Sequence, residues 1–118
     1  MRIVVLTLAV LASLATLTAC GGGDDDEPDS KVFKSMGSLQ CSGGGLSLTT
    51  LQAQLTAAKV QVRSGACGTD GLATATVCGS PDGRIAIFEI SSAQAEAASA
   101  LGFAPLSTLP TAKTIPCT

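Results

Sequence analysis

Four cysteines, Cys41, Cys67, Cys78 and Cys117, constrain this chain more than any other feature. They follow a fifth, Cys20, and they punctuate the whole of the later sequence. None belongs to a C-x-x-C pair, the pattern expected of a four-cysteine zinc site or a thiol oxidoreductase. An even number of cysteines in a small exported domain reads instead as a disulfide framework, with three connectivities open. Export is read from the other end of the chain. Arg2 is a charged start, and Ile3 to Ala12 is almost wholly apolar, the length of a signal-peptide core. A membrane-spanning helix needs about 20 mostly apolar residues. Here the run dilutes into Ser13, Thr16 and Thr18 before Asp24, so a secretory signal is the better reading.

The residues that close this segment, Leu17-Thr18-Ala19-Cys20, resemble a bacterial lipobox, the recognition site of the lipoprotein signal peptidase. The resemblance covers about the first 20 residues. It implies removal of residues 1–19 and lipidation of Cys20 as the new N-terminus. It also implies membrane attachment, since two or more acyl chains hold a protein stably. An Asp directly after the lipidated cysteine tends to retain such proteins in the inner membrane; Gly21 stands there, so the outer membrane is favoured. The competing reading is ordinary secretion, with Cys20 a free or paired thiol. From Cys20 to Ser30 the chain carries three glycines followed by Asp24, Asp25, Asp26, Glu27 and Asp29. Such a segment cannot bury apolar surface and is expected to be a disordered, self-repelling tether.

One domain is left, residues 31–118. The formal charge of −2 for the whole chain misrepresents it. The domain itself sets Lys31, Lys34, Lys59, Arg63, Arg84 and Lys113 against Asp70, Asp82, Glu89 and Glu96. These cations form no cluster, so nucleic-acid binding has no electrostatic footprint. There is no Trp, Tyr or His, and the aromatic residues are Phe33, Phe88 and Phe103.

The pattern predicts a first strand from Val32 to Cys41, then a loop at Ser42-Gly43-Gly44-Gly45. Thr49 and Gln52 fit a capping box. Leu48, Leu51, Leu55 and Ala58 recur at helical spacing, predicting a helix from about Thr50 to Lys59. Val60 to Arg63 alternates like a strand, and Ala73 to Cys78 reads as another. Ser80-Pro81-Asp82-Gly83 fits a type I turn. Arg84 to Ile90 is apolar on both faces, which suits a strand near the middle of a sheet. Ser91 and Gln94 repeat the capping-box pattern before an Ala-rich helix. That helix runs to about Leu101, with Gly102 at its C-terminal cap and Phe103 as the contact beyond it. The order is β-α-β-β-β-α. It predicts an α+β two-layer sandwich, with a mixed four-stranded sheet and both helices on one face. The first two strands are parallel across the helix. With strand three returning, this topology pairs Cys41 with Cys67 and Cys78 with Cys117; a Cys67–Cys78 bridge across a hairpin is the rival.

For chemistry the inventory is thin. Gly43-Gly44-Gly45 before a helix suggests an anion cradle, but without G-K-[ST] it is no P-loop and serves equally as a slack connection. Asp70 and Asp82 each sit beside a glycine in a turn context, which explains them without a carboxylate pair. Glu89 interrupts the most apolar strand, either as a solvent-facing residue or as a buried acid. Serines and threonines abound, but no His is present to activate one. No cofactor or metal is implied. The expected protein is a lipid-anchored, non-catalytic binding or interaction module of the envelope, with an envelope protein as partner. A small Asp/Glu-dependent hydrolase is the alternative.

Overall fold

The computed structural model describes residues 28–117. The expected signal segment, Cys20 and most of the expected tether lie outside the described residues. The order is β1 (Asp29–Ser35), α1 (Leu48–Ala57), β2 (Val62–Thr69), β3 (Arg84–Ser91), α2 (Ala95–Ala100), β4 (Ala104–Pro105) and β5 (Lys113–Thr114). Single 3₁₀ turns precede α2, at Ser92–Gln94, and follow β4, at Leu106–Thr108. This is a small α+β domain with one five-stranded sheet, two helices among the described residues and two disulfides.

The sheet order is β4-β1-β3-β2-β5, and every neighbouring pair is antiparallel. The expected mixed four-stranded sheet is thereby corrected. β1 and β2 do point the same way across α1, but they are not neighbours. β3 lies between them, with Val32 and Gly65 both opposite Phe88. The reason is in the side chains. Ile85, Ala86, Ile87, Phe88 and Ile90 are all buried, and only the central position gives a strand cover on both faces.

Both helices cover one face. Ala86, Phe88 and Ile90 of β3 and Val32 of β1 meet Leu51 and Leu55 of α1, Ala98 of α2, and Val60 and Phe103. The Phe88 and Phe103 rings meet edge to face, with centroids 5.9 Å apart. Lys34 enters this face from β1 and is half-buried. Its Nζ donates to Gln54 Oε1 at 3.0 Å and to the Leu101 carbonyl at 2.9 Å, 5.1 Å over the Phe103 ring. A cation at the C-terminus of α2 suits the helix dipole. The other face of β3 carries Ile85 and Ile87. Because β4 and β5 occupy opposite edges, residues 106–112 must cross the sheet. A hollow shared by Lys31, Leu109, Pro110 and Ala112 places that crossing on the Ile87 side, where it covers the second face.

Local signals account for the helix ends, with shifts. The N-cap of α1 is Ser47, not Thr49: its hydroxyl accepts from the Thr50 N–H at 3.1 Å, and the helix starts two residues early. At the other end Val60 N–H reaches Leu55 O and Lys59 N–H reaches Thr56 O. That is a Schellman pattern with Lys59 in the left-handed region, φ 63°. The second helix ends in the same way, with Gly102 at φ 90° and Phe103 N–H bonded to Ala98 O, as the sequence implies. A side chain at this position costs about 1 kcal/mol. Lys59→Gly is therefore expected to raise stability by about 0.5–1 kcal/mol, less whatever the freer unfolded chain takes back. Urea denaturation checks this, and a lower midpoint contradicts it. The second expected capping box is not made. Among the described residues Ser91 makes no cap bond and its buried Oγ has no partner, while Gln94 instead accepts from Gln61 N–H at 2.8 Å and donates to Lys59 O at 2.9 Å.

The strand bounds differ more. β1 begins at Asp29, within the expected tether, and Asp29 pairs with Arg63. It ends at Ser35 because Gly37, φ 70°, turns the chain. β2 runs on through Gly65 and Gly68 to Thr69. No strand forms over residues 73–78, and the turn falls at Val77–Ser80 rather than at Ser80–Gly83. Residues 70–83 form one long loop, stitched to the loop after β1. Gln40 N–H bonds Ser80 O, Gly79 N–H bonds Gln40 O, and Asp82 N–H bonds Ser38 O.

Candidate functional site

The strands put the loops 36–47 and 70–83 at one end of the sheet and the chain entry at Pro28 at the other. The sequence-predicted residues divide between these ends. Cys20 lies outside the described residues. Cys41 bonds Cys78 and Cys67 bonds Cys117, with Cα atoms 5.1 and 5.2 Å apart. The expected pairing, Cys41 with Cys67 and Cys78 with Cys117, is overturned, and the hairpin rival is not formed either. The physical reason is the missing strand. The expected strand 73–78 would carry Cys78 to the opposite end; without it the loop stays beside the loop after β1, and Cys78 lies next to Cys41. Cys67 stays on β2, where Ile115 N–H bonds its carbonyl at 2.9 Å and brings Cys117 back.

Asp70 and Asp82 serve their turns. Asp70 Oδ1 accepts the Leu72 N–H at 2.9 Å. Asp82 Oδ1 accepts the Ser38 hydroxyl at 2.7 Å and the Arg84 N–H at 3.0 Å. Partial burial disfavours the Asp82 anion, but the bonds from Arg84 N–H and Ser38 and the Arg84 charge outweigh it, so its pKa lies below the ordinary value. Glu89 sits in the central strand, half-buried, opposite Lys31 and accepting the Ser64 hydroxyl at 3.3 Å. Among the described residues no three of His, Cys, Asp and Glu come together as metal ligands, and no helix is long and apolar enough to cross a membrane.

What the arrangement does build is a cleft of about 590 Å³ at the loop end. One wall is the stretch from Gly43 to Thr49, where α1 begins. The other is the tail Ile115-Pro116-Cys117, held by its bond to Cys67. Met36, Ser38, Gly68 and Arg84 line it between. The glycine run shapes this wall. All three glycines have positive φ, and a Cβ on Gly45 would collide with the Met36 carbonyl, which accepts the Leu46 N–H. The cleft escapes sequence reading because it exists only where the last residues return to β2. Comparison of the chain with protein-family profiles, curated proteins and solved structures finds no match.

Proposed function

We propose that this chain is a lipid-anchored lipoprotein of the bacterial envelope, whose folded part is a non-catalytic binding domain on the periplasmic or cell-surface side. The observation that supports the reading best is the pair of disulfides, Cys41–Cys78 and Cys67–Cys117, in so small a domain. Such bridges form and persist in oxidising compartments. The route to one is the apolar segment that ends in Leu17-Thr18-Ala19-Cys20, with Gly21 behind it favouring the outer membrane. The domain starts at Asp29, close behind the acidic stretch, so residues 21–28 are the link between anchor and fold. A binding role is supported by the commitment of Asp70 and Asp82 to backbone N–H groups of their own turns and by the apolar side chains of Met36, Leu46 and Leu48 in the cleft lining. Metabolic labelling with a fatty-acid analogue tests the anchor. Wild type is expected to take up label and Cys20→Ala to take up none; equal labelling of the two contradicts the proposal.

A further inference from the structure

The two disulfides stand in different surroundings. Cys117 is exposed, but its partner Cys67 is buried on β2, only 6 % exposed, and the pair lines the cleft. Cys41 and Cys78 are both exposed, on the loops after β1 and after β2, and neither lines the cleft. A partner as large as a protein can therefore approach their bridge. The backbone differs as well. Cys41 lies in the left-handed region, φ 72°, a conformation that crowds a side chain. Among the described residues other than glycine only Lys59 shares it, and Lys59 closes a helix. Cys41 stands instead in the middle of a tight turn whose ends, Leu39 and Gly43, exchange backbone bonds of 2.9 and 2.8 Å. Further backbone bonds join this turn to the other loop, from Gln40 N–H to Ser80 O, Gly79 N–H to Gln40 O and Asp82 N–H to Ser38 O.

We propose that Cys41–Cys78 is a redox site, opened and closed by thiol–disulfide exchange with the dithiol of a partner protein while Cys67–Cys117 stays closed. Exposed or strained bridges are the ones that exchange readily, and this bridge is exposed and ends on a strained residue. A thiolate of the dithiol attacks one sulfur of the bridge. A mixed disulfide forms, and the other cysteine leaves as a thiolate and takes up a proton. The second thiolate of the dithiol then attacks the mixed disulfide and releases the remaining cysteine, which is protonated in turn. Cys41 and Cys78 are reduced to two thiols, and the dithiol, which supplies both electrons and both protons, is oxidised to a disulfide. The reverse reaction closes the bridge. The fold makes the exchange reversible, because the bonds among Ser38, Gln40, Gly79, Ser80 and Asp82 keep the two thiols side by side. The tail has no such support, since β5 meets β2 through only Gly68–Thr114 and Thr69–Lys113, with one further bond from Ile115 N–H. The proposal needs the oxidising compartment of the proposed function but not the anchor, so a failure of fatty-acid labelling leaves it standing.

Redox titration of the protein purified from the cells that make it tests this. The protein is equilibrated with graded mixtures of reduced and oxidised dithiothreitol, and separately of reduced and oxidised thioredoxin as a protein dithiol. Free thiols are then alkylated, and each cysteine is read by peptide mass spectrometry. Cys41 and Cys78 are expected to open together in both series. Their equilibrium constant for reduction is expected to exceed that of Cys67 and Cys117 by about tenfold or more, a gap of some 30 mV. The circular dichroism of the half-reduced protein is expected to match that of the oxidised protein, and return to the oxidised mixture to restore Cys41–Cys78 alone. Equal constants, earlier opening of Cys67–Cys117, or opening by dithiothreitol and not by thioredoxin overturn the proposal, as does loss of the folded spectrum when Cys41–Cys78 opens. Growing cells quenched with acid and alkylated give a second readout. Part of the Cys41 and Cys78 is expected as thiols there and none of the Cys67 and Cys117; a Cys41–Cys78 bridge closed in every molecule overturns the proposal.

Discussion

Replacing Cys67 and Cys117 together by Ala is expected to destabilise the domain by about 4 kcal/mol, on the loop-entropy account of a bridge that spans 50 residues. A loss of that size approaches the whole stability of many small domains. It should fall on the tail above all, since β5 pairs with β2 through only Gly68–Thr114 and Thr69–Lys113. The same change at Cys41 and Cys78, which span 37 residues, removes a similar entropic contribution. There the neighbouring backbone bonds from Gln40 and Gly79 still hold the two loops together. Denaturant titration of the two double variants gives the comparison. A smaller loss for the Cys67/Cys117 variant than for the Cys41/Cys78 variant contradicts this account of the tail.

Phe88→Ala is expected to cost about 3–5 kcal/mol, the range for emptying a buried aromatic site. Phe88 is fully buried at the centre of the middle strand and meets α1, α2 and Phe103 from one face. The sheet is built around its ring: a Cβ on Gly65, its partner on β2, would lie only 3.0 and 3.1 Å from ring carbons. A backbone so close cannot easily move in to fill the space. Part of the loss is edge-to-face energy with Phe103, which a double-mutant cycle should return as about 0.5–1.5 kcal/mol of coupling. A loss below that of a typical surface substitution, or additive effects at the two positions, would show that the rings do not share one core.

These two predictions also mark what the residues disclosed in advance. Phe88 announced itself because Arg84 to Ile90 is apolar on both faces, and a strand of that kind belongs in the middle of a sheet. The α1 spacing and the Gly102–Phe103 cap were equally legible, being local signals. Ser47-Leu48-Thr49-Thr50 offered several hydroxyls for one cap, and only the helix itself selects Ser47. The glycines at 65 and 68 disguised the length of β2. They are in the strand because side chains there would meet Phe88, Ile87 and the Lys113 carbonyl. The Thr- and Val-rich stretch 73–78 has strand composition but no free partner, since β3 is already flanked on both sides. From that one strand the wrong disulfide pairing followed. The cleft had no local signal at all, because its second wall comes from the chain's last residues.

The measurement that bears most directly on the account is non-reducing mass spectrometry of the protein purified from the cells that make it. It is expected to find a mature chain that begins at Cys20 with acyl chains attached, and proteolytic fragments that join Cys41 to Cys78 and Cys67 to Cys117. A chain that keeps residues 1–19 or carries no lipid would contradict the anchored reading. A fragment that joins Cys41 to Cys67, or Cys67 to Cys78, would contradict the fold that sets Cys41 beside Cys78 and returns Cys117 to β2.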